Sequence, residues 1–112
     1  MATADELRRE LAKAEKELED AKAALKEFNE GEDGQWLAEL KRKLRKEEGT
    51  KAQRAEWKEE RTQLEERQKS LEAEVTKWSD EVLKSREDLR RAQAQTGNDF
   101  VTRALGTLNS VG

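Results

Sequence analysis

The sequence predicts an all-α fold: an antiparallel helical hairpin, or coiled coil, with a long second helix. Two apolar seams of 4-3 spacing carry that prediction. One runs Leu7, Leu11, Ala14, Leu18, Ala21, Leu25, Phe28; the other runs Leu64, Leu71, Val75, Trp78, Val82, Leu89, Ala92, with polar Gln68 and Ser85 at two of its places. Such spacing gathers apolar side chains on one narrow stripe of a helix, which only another helix can hide. Composition agrees. The chain has no proline, is 44% charged and only 33% hydrophobic, against about 45–50% apolar in ordinary globular chains. It can bury a seam but cannot enclose a broad core. Residues that favour strands are scarce, and the dominant types are strong helix formers.

The expected organisation is a coiled-coil hairpin over residues 1–96 and a short tail over 97–112. Thr3 with Glu6 three residues later forms a capping-box pattern, so the first helix should span about 4–30. Gly31-Glu32-Asp33-Gly34 is expected to turn the chain back, with Gly31 in a left-handed position and Asp33 capping the next helix. The second helix is expected over about 35–95. Folding about that turn would set Phe28 against Leu37, Leu25 against Leu40 and Ala21 against Leu44. The intramolecular seam is thus read as Leu7, Leu11, Leu18, Leu25, Phe28, Leu37, Leu40 and Leu44.

Glu47, Gly49, Lys51 and Arg54 interrupt the apolar pattern of the second helix. Two readings compete. The helix continues through Gly49 at a cost of about 1 kcal/mol, or it stops there and Thr50 with Gln53 caps a third helix. The spacing of Trp36, Trp57 and Trp78, three heptads apart each time, favours the continuous helix. On that reading the first helix runs out near Glu60. The stripe beyond it, Leu64, Leu71, Val75, Trp78, Val82 and Leu89, would then be an oligomer seam that needs a partner. Gln95-Thr96-Gly97-Asn98 should end the helix, and Phe100, Val101, Ala104, Leu105 and Leu108 recur at helical spacing after it. That tail is a short amphipathic helix or the start of a truncated domain.

Net charge is -3 but unevenly spread. Residues 1–34 hold 6 basic and 11 acidic side chains, and residues 35–62 hold 9 and 6. An acidic first helix facing a basic start of the second would suit each other. The Lys41, Arg42, Lys43, Arg45, Lys46 cluster could neutralise phosphates or bind an import receptor. The competing reading, a basic face answering the acidic helix and the helix C-terminus, is preferred. Nucleic acid is therefore the weaker partner and remains the alternative function.

Cysteine and histidine are absent, which excludes disulfides, thiolate and imidazole metal sites and histidine catalysis. Carboxylate pairs such as Glu47-Glu48 and Glu65-Glu66 need a desolvated cleft to work as acid and base, and a thin rod offers none. No catalytic residue, metal or cofactor is expected. No apolar run approaches the roughly 20 residues of a membrane span, and the N-terminus lacks a signal-peptide pattern. An intracellular setting is the expectation.

Leu18 to Phe28, Gln35-Trp36-Leu37-Ala38-Glu39-Leu40 and Lys58-Glu59-Glu60-Arg61-Thr62-Gln63-Leu64-Glu65-Glu66 resemble the coiled-coil stalk found within some Crinkler-type proteins of oomycetes and fungi. The resemblance covers roughly residues 10–75. It implies an internal oligomerising stalk from a larger, host-targeted protein. That family's N-terminal translocation motif and effector domain are not in this chain, and no functional residue carries over. The expectation is a non-enzymatic oligomerisation or protein-interaction module, acting as a homodimer or with a helical protein partner.

Overall fold

Helix formation follows the caps and the 3.6-residue period, but the chain turns back at a different place. The computed structural model describes residues 3–111, with side chains described for residues 3–94. Three helices follow in order: α1 (Ala4–Glu30), α2 (Glu32–Arg45) and α3 (Lys51–Val111). Thr3 caps α1, its hydroxyl accepting from the Glu6 amide at 3.2 Å. The described residues hold no strand.

Gly31 does not reverse the chain. Its backbone is extended, with φ -81° and ψ -173°, and α2 begins at the next residue. Asp33 lies within the first turn of α2 rather than capping it. The segment is tight. A Cβ on Gly31 would sit 2.6 Å from the Glu27 carbonyl oxygen, and one on Gly34 would run into the carbonyl oxygens of Phe28 and Asn29. These glycines permit close backbone approach at a helix break, not a hairpin turn.

The break serves the seam. Leu37 lies nine residues after Phe28, about two and a half turns of an uninterrupted helix. The two would then point to opposite faces. Instead Phe28 and Leu37 are both buried. One extended residue resets the phase, so that α1 and α2 each present an apolar stripe to the same partner, α3.

The reversal lies at residues 46–50. The Glu47 amide donates to the Leu44 carbonyl (3.2 Å) and the Glu48 amide to the Lys43 carbonyl (3.0 Å). This is the Schellman pattern that closes a helix C-terminus. Glu47 takes the left-handed backbone, with φ 54°, and Gly49 follows at φ 77°. Thr50 and Gln53 then form a reciprocal capping box, at 2.9 and 3.1 Å, and α3 starts. The continuous helix through Gly49 is thereby corrected. Terminator and cap together satisfy the backbone groups that the break in the helix would otherwise leave without partners. The 21-residue tryptophan spacing does not require continuity, because Trp36 and Trp57 lie on opposing helices.

The result is a long rod, 90 × 21 × 21 Å. A 61-residue α3 at about 1.5 Å per residue accounts for its length. Along it, α1 and α2 lie end to end, both antiparallel to α3. Facing residues have numbers adding to about 100: Glu15 with Arg86, Asn29 with Gln68, Lys43 with Trp57. The helix expected to stop near Gly97 continues to Val111. The proposed amphipathic face of the tail lies on side chains outside the described residues.

Candidate interaction surfaces

On α3 every position from Arg54 to Ala92 at alternating steps of three and four is buried or half-buried. The stripe takes in Leu64, Leu71, Val75, Trp78, Val82 and Leu89. It is not bare, as the shorter hairpin required. Val82 is 3% exposed, and the Glu15–Arg86 and Asn29–Gln68 contacts lay α1 along it. The stripe read as an oligomer seam is therefore filled within the chain. Leu7 and Phe28 are buried and Leu11, Leu18 and Leu25 half-buried on the α1 side of that contact. Leu37 and Leu40 are buried and Leu44 half-buried on α2, which faces the first part of α3. The residues expected to face one another as Phe28–Leu37, Leu25–Leu40 and Ala21–Leu44 lie instead on consecutive helices that both face α3. A register slip of this kind is easy to make in a Glu/Lys/Leu text, because heptad seams match at many offsets.

Polar side chains pin the register. Gln68, one of the two polar seam positions, donates to Asn29 Oδ1 at 3.0 Å. Arg67 pairs with Asp33 at 3.0 Å and lies 5.9 Å over the Phe28 ring. Near the turn the Trp36 indole donates to Glu60 at 3.1 Å. The Lys43 ammonium stands between two rings, 5.2 Å from Trp36 and 5.0 Å from Trp57. Trp57 also packs on the turn, where a Cβ on Gly49 would meet its ring at 2.7 Å. Composition alone does not reveal this cation between two indoles. The Thr50/Gln53 cap pattern could have located it, because a turn there brings Trp36 and Trp57 together.

Arg42, Lys43 and Arg45 of the basic cluster sit in the last turn of α2, Lys46 is its cap, and Lys41 lies just before that turn. Lys41 pairs with Glu65 (3.8 Å) and Arg42 with Glu39 (3.4 Å) and Glu48 (3.7 Å). Lys43 is held by the rings. Arg45 and Lys46 are exposed and form no ion pair among the described residues, and the same holds for Lys51 and Lys58 across the turn. The expected facing of acidic α1 and basic second segment does not occur. The basic residues fold on one another to make the tip of the rod, and α1 lies along the later part of α3.

The break between α1 and α2 opens a cleft of about 470 Å³ against α3. Phe28, Leu71 and Ala24 give it apolar walls, and Glu27, Glu32, Asp33 and Arg67 line the rest. Among the described residues Leu83, 60% exposed, is the one large hydrophobic side chain left in solvent. Glu87 accepts from Arg90 at 2.8 and 3.0 Å and from Arg91 at 3.1 Å. The Arg90 hydrogen bonds, opposed by some desolvation and helped by Arg91, lower its pKa from 4.5 to about 2. Glu87 in turn raises that of Arg90. Among the described residues no group of acidic side chains is placed to hold a metal ion. No described helix is long and apolar enough to cross a membrane.

No family model matches the chain, and neither a curated protein nor a solved structure is similar to it.

Proposed function

We propose that this chain is a non-enzymatic coiled-coil module that brings copies of itself, and helical partners, together along a stiff arm. The supporting observation is the arrangement of the hairpin. A single heptad stripe on α3, unbroken from Arg54 to Ala92, is matched by two helices phased to it separately. The charged tip lies at the far end from Thr3. The buried apolar residues among those described lie on the faces of this contact, and the exposed surface of the described residues is rich in charged side chains. The coiled-coil stalk of Crinkler-type proteins would be a role of the same kind.

With the apolar seam filled in the chain, self-association would use the outer surface. Light-scattering mass measured against concentration tests the reading. Mass should rise above the 12.9 kDa of one chain as concentration grows, while the helical signal stays constant. A chain that stays at one-copy mass to high micromolar concentration, in both low and high salt, would sink the oligomerisation reading.

A further inference from the structure

The fold separates charges that the sequence keeps adjacent. Residues 1–34 of the sequence carry 11 acidic and 6 basic side chains, and α1, which they contain, lies along the later part of α3, where residues 63–96 carry 8 acidic and 7 basic. The acidic excess of that half lies on the α1 side, since residues 63–96 are nearly balanced. The tip, residues 35–62, carries 9 basic and 6 acidic side chains and folds on itself. Within one chain a single ion pair, Lys41 with Glu65 at 3.8 Å, joins the two halves among the described residues.

The cleft at the helix break shows which chemistry this acidic half accepts. It already holds one guanidinium, that of Arg67, over the Phe28 ring at 5.9 Å and on Asp33 at 3.0 Å. Two further carboxylates on its walls, Glu27 and Glu32, are exposed and have no ion-pair partner among the described residues. A long cationic side chain can lay its aliphatic stem on apolar walls and reach such carboxylates with its head. Arg45 and Lys46, exposed and unpaired at the tip, are side chains of that kind.

We infer that the tip of one copy docks on the acidic cleft of a second, with Arg45 and Lys46 reaching Glu27 and Glu32. The contact deepens the self-association reading and rests on it. It joins two different patches, so it is heterologous and can continue from copy to copy. It is also electrostatic and weakens as salt shortens the screening length.

Complementation tests it. The tip variant carries Arg45→Glu with Lys46→Glu, and the cleft variant carries Glu27→Lys with Glu32→Lys. All four positions are exposed, and circular dichroism confirms that each variant keeps its helices. The unmodified chain should gain mass with concentration in about 20 mM salt, with association weakened about tenfold or more in about 500 mM salt. Each variant alone should stay at one-copy mass, because its tip and cleft then carry like charge, and an equimolar mixture should regain salt-sensitive association, because the unmodified tip meets the unmodified cleft and the reversed tip meets the reversed cleft. Self-association that persists in either variant overturns the tip-to-cleft contact but leaves the oligomerisation reading standing. A mixture that stays monomeric overturns the contact as well. An unmodified chain that never self-associates, yet binds random-sequence duplex DNA through Arg45 and Lys46, overturns both and assigns the tip to phosphate.

Discussion

Replacing Leu40 with alanine measures how much the tip of the rod depends on burial. Leu40 is the one described side chain with 0% exposure. It lies on α2 between the Trp36–Glu60 and Lys43–Trp57 contacts with α3. The change removes three carbons, which at about 0.8 kcal/mol each gives a transfer loss of about 2.4 kcal/mol. The cavity contribution adds little, because a rod two helices thick lets solvent or neighbours close the gap. The expected destabilisation is about 2.5–3 kcal/mol. At about 2.1 cal/mol/K of unfolding entropy per residue, that lowers the melting temperature by on the order of 10 °C. Urea unfolding followed by circular dichroism reads it as a lower midpoint at unchanged slope. Leu83→Ala, at a side chain left 60% exposed, is the control and should stay within about 0.5 kcal/mol. Equal losses at the two positions would refute the packing of α2 on α3.

Gly49→Ala should cost about 1–3 kcal/mol, because alanine at φ 77° is strained and its Cβ would strike the Trp57 ring; an unchanged urea midpoint would contradict the turn at 46–50. A spin label at Glu15 should broaden resonances near Arg86, and one at Asn29 those near Gln68. Leu25 and Leu40 should show no proximity to each other, and strong broadening between them would restore the turn at Gly31. The Glu87 carboxyl should titrate near pH 2. A lowered folded-state pKa means that its stabilising contribution is complete above the ordinary value of 4.5 and is lost as pH falls toward 2. Arg90→Ala should return the titration toward the ordinary carboxylate range, and an unperturbed Glu87 in the unmodified chain would refute the pairing.

What the sequence makes legible depends on the range of the interaction. The seams of α1 and of α3 are plain, because periodicity is a local property, and the Thr3 and Thr50 caps need only three residues each. Pairing is long-range, and here it was ambiguous. Gly31 to Gly34 carries turn residues, but its glycines answer close carbonyl contacts that exist only once the backbone is folded. The real terminator has Glu47, not glycine, at its left-handed position, where composition gives no hint. The half-turn mismatch between Phe28 and Leu37 was the readable clue. Two seams out of phase by half a turn can share a partner only if the backbone is broken between them.

That break divides the rod into two cooperative units that share one long template. Helical hydrogen bonding does not pass unbroken through Gly31, so α1 cannot inherit order from α2 as the next turn of one helix would. The tip closes across a five-residue reversal and involves near neighbours in sequence, whereas Glu15 must find Arg86 across 71 positions. Loop-closure entropy therefore favours the tip as the first part to form, with α1 zipping outward along α3 afterwards. Native-state hydrogen exchange should show the α1 amides opening at lower free energy than those of α2; equal protection would mean that the break is mechanically silent. A molecule built this way can loosen along most of its length and still keep its charged end intact.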